Sequence, residues 1–450
     1  MSADYVLLDQ YLGKAGIPVG YFPLVGYKLT LDTGSFALTG QTITLSAGRE
    51  LAADAGTFNL IGTAVTFRRT FILTADSGAF ALNGTDVILK AAHKLSLDSG
   101  TFELTGIDIA LKAARKLIPD SGAFALAGTD ITFKRAYIFS VDSGSFGLLG
   151  TNVAFKRTYV LTAENGTFSL IGENVAFKAA RKISLDSGTF SLIGTDVTFQ
   201  RTYNLIPESG AFNLTGSDVT FQRTYNLSAE SGSFNLTGYN VKLIRSTHVF
   251  KLESGSFSLS GTPVNFKRTY ILPASSGTFT LTGTSAKLTK GYELLAKSGS
   301  FTLVGGDVIL KVARKLELGS GEYSLTGADI TLNLARKLSL DSGIFTLTGT
   351  DAELRADRKL SVGTGIFYLI GEPVDLERNY KLIAETGIFN LIGYDVTFGH
   401  GYVLVVEPGA YILSGTDVGL YWWAWNACRG YVIPAEDRVF AIPACDNGGR

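Results

Sequence analysis

The side chains of this protein that could do chemistry recur at one interval. Lys90, Lys112, Lys134, Lys156 and Lys178 repeat with a period of about 22 residues, and so do Asp54, Asp76, Asp98, Asp120 and Asp142, a series continued by Glu164 and Asp186. Two carboxylates flanking a cleft could protonate and attack a glycosidic bond. An acidic stripe could hold cations, and a basic stripe an acidic glycan. A catalytic pair is usually one departure from a pattern, whereas here every candidate carboxylate is repeated, so no catalytic residue is expected. His93, His248 and His400 are the only histidines, and counted at that fixed step they share no column. Nothing pairs them with a cysteine or carboxylate at ligand spacing, so surface or corner positions are expected of them in place of metal binding. The chain holds no GxxxxGK followed by Ser or Thr, no HExxH, no GxSxG and no GGxGxD calcium repeat. These observations point away from an enzyme, a cofactor and a bound metal.

Charge and composition narrow the field further. Lys plus Arg and Asp plus Glu both number 40, so the basic balance of a nucleic-acid binder is missing. Hydrophobic residues make up 46% of the chain. No run of about 18 apolar residues occurs, and no membrane-spanning helix is expected. Met1 to Gly20 lacks a basic stretch followed by an apolar one, so no Sec signal peptide is expected. The only cysteines, Cys428 and Cys445, leave a disulfide and two free thiols equally open.

The columns must be positioned by a repeated element, and its skeleton is GxFxLxG. Aromatic anchors stand at Phe36, Phe58, Phe80, Phe102, Phe124, Phe146, Phe168, Phe190, Phe212, Phe234, Phe257, Phe279, Phe301, Tyr323, Phe345, Phe367, Phe389 and Tyr411. The same period separates them all except at one step, from Phe234 to Phe257, which is longer by a single position. Within a unit, apolar residues alternate at Phe102 and Leu104, resume at Ile109 and Leu111, and return at Leu117. Period two broken by Gly and Asp predicts short strands and an all-β chain. Turns are expected at segments such as Asp98, Ser99 and Gly100, where Asp can bond its own backbone and Gly can take positive φ, and at Gly128, Thr129 and Asp130. A softer break falls midway through the remainder, as Lys-Arg-Thr-Tyr (Lys156 to Tyr159) or Lys-Ala-Ala-Arg-Lys (Lys112 to Lys116).

An antiparallel β-meander would make each unit a hairpin with very unequal arms, which cannot pair along their length. An intertwined trimeric fibre is a further alternative. A β-solenoid of about 18 coils of about 22 residues accounts for more, since identical positions then stack in parallel, in-register ladders. It also explains why the anchor changes only from Phe to Tyr: a rung of altered volume would not fit its neighbours. The extra residue of the long step, around Ile244 to His248, is expected at a corner. A flat threonine ladder of the ice-binding type is set aside because the position before the second Gly runs Thr39, Ile61, Asn83, Thr105.

An open array needs its ends covered. Residues 1–30 lack the full motif and are expected to be an N-terminal cap or attachment segment; residues 31–420 form the array; residues 421–450 are an aromatic, Pro-containing C-terminal cap or docking segment. Tyr421, Trp422, Trp423 and Trp425 contain all three tryptophans, and either cover the last coil or dock a partner. Pro434 and Pro443 fit both readings, since each interrupts ladder pairing.

The runs LDSGTFELTG (Leu97 to Gly106) and AESGSFNLTG (Ala229 to Gly238) resemble tandem repeats in uncharacterised proteins encoded by tailed bacteriophages and prophages, near virion structural genes. The segment IPAEDR (Ile433 to Arg438) is similar to PAEDR segments in such proteins, and the repeat resemblance spans about residues 30–420. The resemblance implies a non-enzymatic virion structural protein, with no residue roles attached. The expectation is a rod-like fibre, spike shaft or capsid decoration, a homo-oligomer held to other virion proteins through one terminus. A host-surface glycan is a further expected partner, and nucleic acid and a membrane span are not. The alternative is a bacterial repeat adhesin, extracellular or on the cell surface.

Overall fold

The computed structural model describes residues 28–45, 48–68, 70–90, 92–334, 337–356, 359–377, 379–398, 401–406, 410–415, 417–420 and 440–441. The chain forms two compact units, Met1–Val219 and Thr220–Arg450. Both are β-solenoids. Every described element is a strand. No helix among the described residues is long and apolar enough to cross a membrane.

One coil shows the plan. Thr189–Ile193, Asp196–Phe199 and Thr202–Pro207 are its three strand segments. Alternation sends Phe190, Leu192, Val197, Phe199 and Leu205 inward, all fully buried, while the residues between them, the buried Thr202 apart, stay partly or fully exposed. β-Branched and aromatic residues suit such a pleated, one-sided surface, and each large apolar side chain taken from water contributes about 1.5–3 kcal/mol. In other coils the first two segments run together, as in Thr101–Leu111.

Each segment pairs in parallel with its equivalent one coil on. Phe168 lies opposite Phe190 and Phe190 opposite Phe212; Val175 lies opposite Val197; Leu205 lies opposite Ile183. Interior strands thus find both neighbours in their own chain, which rules out the antiparallel meander and removes the basis for intertwined chains. The anchor strands form a ladder of nine rungs in the first unit, Phe36 to Phe212. The second unit has nine more, from Phe234 to Tyr411. Complete turns among the described residues number about 15, slightly under the 18 coils expected. The anchors all pair, so the difference lies in how many coils are complete and not in the period.

Inside, most anchor rings stack face to face, with Phe36 and Phe80 tilted against the next ring. Phe168 and Phe190 have centroids 5.0 Å apart and planes 7° apart, and Phe190 and Phe212 stand at 4.8 Å and 1°. A second stack runs through Phe133, Phe155, Phe177 and Phe199 at 4.4 to 4.7 Å. Strand spacing sets this distance, since a parallel ladder repeats every ~4.8 Å, and stacked rings contribute about 0.5–1.5 kcal/mol per pair beyond their burial. Where Phe139 replaces the Leu117 and Leu161 of adjacent coils, it packs edge-on against Phe133 and Phe146. At Tyr323 the stack loosens: its ring lies 6.5 Å from Phe345 at 31°, and its hydroxyl donates to the Ala296 carbonyl at 2.5 Å. Burial pushes that phenol well above its ordinary pKa.

The corners work differently from the expectation. Among the described glycines only Gly34 has positive φ, at 101°. The other glycines of the repeated skeleton are required by close approach of backbones. A methyl added to Gly188 would stand 2.5 Å from the Gly166 carbonyl oxygen, and the other motif glycines are crowded in the same way by the coil before. The corner Asp also acts between coils. Its carbonyl accepts from the next coil: Ser99 donates both its N–H and its hydroxyl to the Asp76 carbonyl, each at 2.7 Å, and Ser77 does the same to Asp54. The corner is a staple between coils.

The extra residue of the long step falls in the expected stretch, inside a continuous strand and not in a corner loop. Leu243 pairs with Phe266, one position further along the chain than the pairing of Leu252 with Ala274 allows, so the register shifts between Leu243 and Leu252. The strand Ser233–Leu252 carries it as a bulge and no loop is added. Near the end of the second unit, Phe440–Ala441 pairs antiparallel with Ala410–Ser414, Leu413 opposite Phe440.

Candidate functional site

Four surface columns arise from the coil plan. The first is acidic and sits at the corner before the anchor. Asp98, Asp120 and Asp142 follow one another at successive coils, within a few ångströms of their like-charged neighbours. Partial burial, then Asp142 and Asp98, raise the Asp120 carboxyl above its ordinary pKa, and Lys94 and Lys116 act against the shift. A second column at the following corner escapes part of this repulsion by exchanging Asp for Asn. The Asn152 amide donates to the Asp130 carboxylate at 2.6 Å, and the Asn174 amide to the Asn152 carbonyl at 2.8 Å. In the second unit Glu317 shows the opposite balance. Burial raises its pKa, but hydrogen bonds from Lys315 at 2.7 Å and Lys337 at 3.1 Å outweigh it and hold the carboxyl below the usual range. These contacts satisfy charge within the solenoid.

The third column is not one of the charged series legible in the sequence. Ladder pairs on either side place Phe71 opposite His93 and His93 opposite Arg115. The same register continues through Tyr137, Tyr159, Arg181 and Tyr203. In the sequence of the second unit His248 stands one ordinary period before Tyr270. The series goes on in the sequence at Tyr292, Arg314, Arg336, Arg358, Tyr380 and Tyr402. Each repeat thus carries a planar residue, Tyr, Phe, His or Arg, at this one position. His93 and His248 hold corresponding places in their own repeats once the longer step is counted, although at a fixed step they share none. The clearest pair is Arg181 over Tyr159, with the guanidinium 4.7 Å from the ring centroid. Planarity is the common property, since a guanidinium stacks on a ring as well as a ring does.

Beside this column runs the basic one. Lys134, Arg135, Lys156, Arg157, Lys178 and Arg201 are all exposed. Backbone bonds fix their corner: Ala136 donates to the Arg157 carbonyl at 3.0 Å and Ala180 to the Arg201 carbonyl at 2.8 Å.

The expected docking residues Tyr421, Trp422, Trp423 and Trp425 lie outside the described residues, as do Cys428, Cys445 and His400 and almost all of the two end segments. Among the described residues no group of three or more His, Cys, Asp or Glu could hold a metal ion. No protein-family model, curated protein or solved structure matches the chain.

Proposed function

We propose that the chain is a non-enzymatic structural protein of a tailed-phage virion, forming part of a fibre, spike shaft or capsid decoration and assembling with other virion proteins. The observation that carries this reading is the repeat itself: each coil matches the next in its buried rings, its corner glycines and its inter-coil hydrogen bonds, and the units resemble phage tandem repeats. Such an array transmits position and length. Its side chains are spent on stacking, with no single cleft chosen for a reaction.

The test is location. Particles purified from cells carrying the gene should contain the protein, and a label at Arg450 should mark one fixed place on them by electron microscopy. Recovery from the secreted or cell-surface fraction, with purified particles empty of it, would replace this reading with that of a bacterial repeat adhesin. Depolymerisation of a glycan, abolished by changing one carboxylate pair, would overturn the non-enzymatic part.

A further inference from the structure

We infer that the first unit carries a docking face for an acidic polysaccharide, formed by the corner after the second segment together with the third segment. The source we assign is a cell-surface glycan, and only that source rests on the virion reading; the binding itself does not. Over six consecutive coils, residues 90–97, 112–119, 134–141, 156–163, 178–185 and 200–207 contain thirteen Lys or Arg and no Asp or Glu. The equal totals of acid and base in the whole chain conceal this segregation. In the second unit the equivalent segments are mixed, carrying Glu293, Glu317, Asp357 and Glu377.

The charges are available. Lys134, Arg135, Lys156, Arg157, Lys178 and Arg201 are exposed, and among the described residues none of them is in an ion pair. Repetition at ~4.8 Å per coil gives a linear, periodic array of cations, which suits a linear polyanion better than a compact one. The planar column decides between two kinds of polyanion. A single-stranded nucleic acid binds by laying bases on open ring faces. Here Arg181 covers a face of Tyr159. What an exposed guanidinium stacked on a ring leaves free is its N–H edge. That edge takes a carboxylate or sulfate in a two-point contact, and phenol hydroxyls beside it can bond sugar hydroxyls.

The experiment measures binding of the full chain to immobilised alginate, a polyuronate, with neutral dextran and a single-stranded oligodeoxythymidylate in parallel. Alginate should bind and weaken as salt rises, and dextran should not bind. The combined change Arg135→Glu, Arg157→Glu and Arg181→Glu should lower alginate binding by on the order of tenfold, with circular dichroism and melting unchanged. Lys242→Glu, an exposed reversal in the second unit, should have no such effect. No alginate binding, equal binding by the triple variant, or tighter binding of the oligonucleotide would overturn the inference. Alginate binding by a protein absent from virions would leave it standing and remove the virion reading alone.

Discussion

Gly150 and Gly147 lie close together in one strand, yet only Gly150 belongs to the repeated skeleton. A methyl at Gly150 would meet the Gly128 carbonyl oxygen at 2.5 Å and Ile131 at 3.1 Å, whereas at Gly147 the nearest atom is 4.0 Å away. Gly150→Ala should therefore destabilise the first unit by about 1–3 kcal/mol through overpacking. Gly147→Ala should be neutral or stabilise by up to about 1 kcal/mol through reduced freedom of the unfolded chain. Urea denaturation of the two variants checks this, and equal effects would mean that crowding is not the reason for the motif. Asp120 gives a prediction in pH. Its folded pKa is raised, so the proton is held more tightly in the folded state; the associated stability is present in acid and is lost as pH rises through the folded value. Asp120→Asn should raise the melting temperature at neutral pH, and the gain should vanish below about pH 3, where the unfolded carboxyl is protonated too. A gain that grew toward low pH would contradict the crowded-column account.

A coil is defined by its register. Removing residues 146–167 takes out one full period and brings Ser145 against Phe168, restoring the motif. That variant should keep the β spectrum and melt close to the parent. Removing 146–166 stops one position short and turns inward every side chain that faced out beyond the cut, because a strand alternates with period two. It should fail to fold cooperatively, as thermal melts of the two deletions will show. Register was legible in the sequence because Phe102, Leu104, Ile109, Leu111 and Leu117 record it locally. The reasons for the invariant residues were not, because they act between coils: the oxygen that excludes a side chain at Gly188 belongs to Gly166, and the hydroxyl of Ser99 serves the carbonyl of Asp76. The planar column was hidden for two further reasons. Tyr, Arg and His look unlike one another until their shared flatness matters, and the longer step after Phe234 offsets the count by one place. The terminal aromatic segment, Tyr421 to Trp425, was readable as a composition change and carries no geometry here.

At the scale of the molecule, stability is distributed from neighbour to neighbour. Each coil rests on the one before and the one after, so its resistance to opening depends on how many neighbours it has. Amides of Thr189–Ile193, paired on both sides, should exchange hydrogen far more slowly than those of Lys28–Leu31, whose described partner is Gly48–Ala53 alone. Uniform protection along the array, measured by native-state hydrogen exchange, would instead mean that each unit opens all at once.

A parallel ladder of this kind is a template. Its last strand displays the pattern of donors and acceptors that the next coil would need, and a second molecule could read that pattern as readily as the chain itself. The pairing of Phe440–Ala441 with Ala410–Ser414 breaks the copying by running the other way. Antiparallel bonds alternate between close and wide pairs where parallel ones are evenly spaced, so at Ile412 and Leu413 the reversed strand interrupts the pattern that a further coil would copy. Deleting residues 436–450 should convert single molecules into end-to-end polymers detectable by light scattering. Polarity, in this fold, is a stop signal.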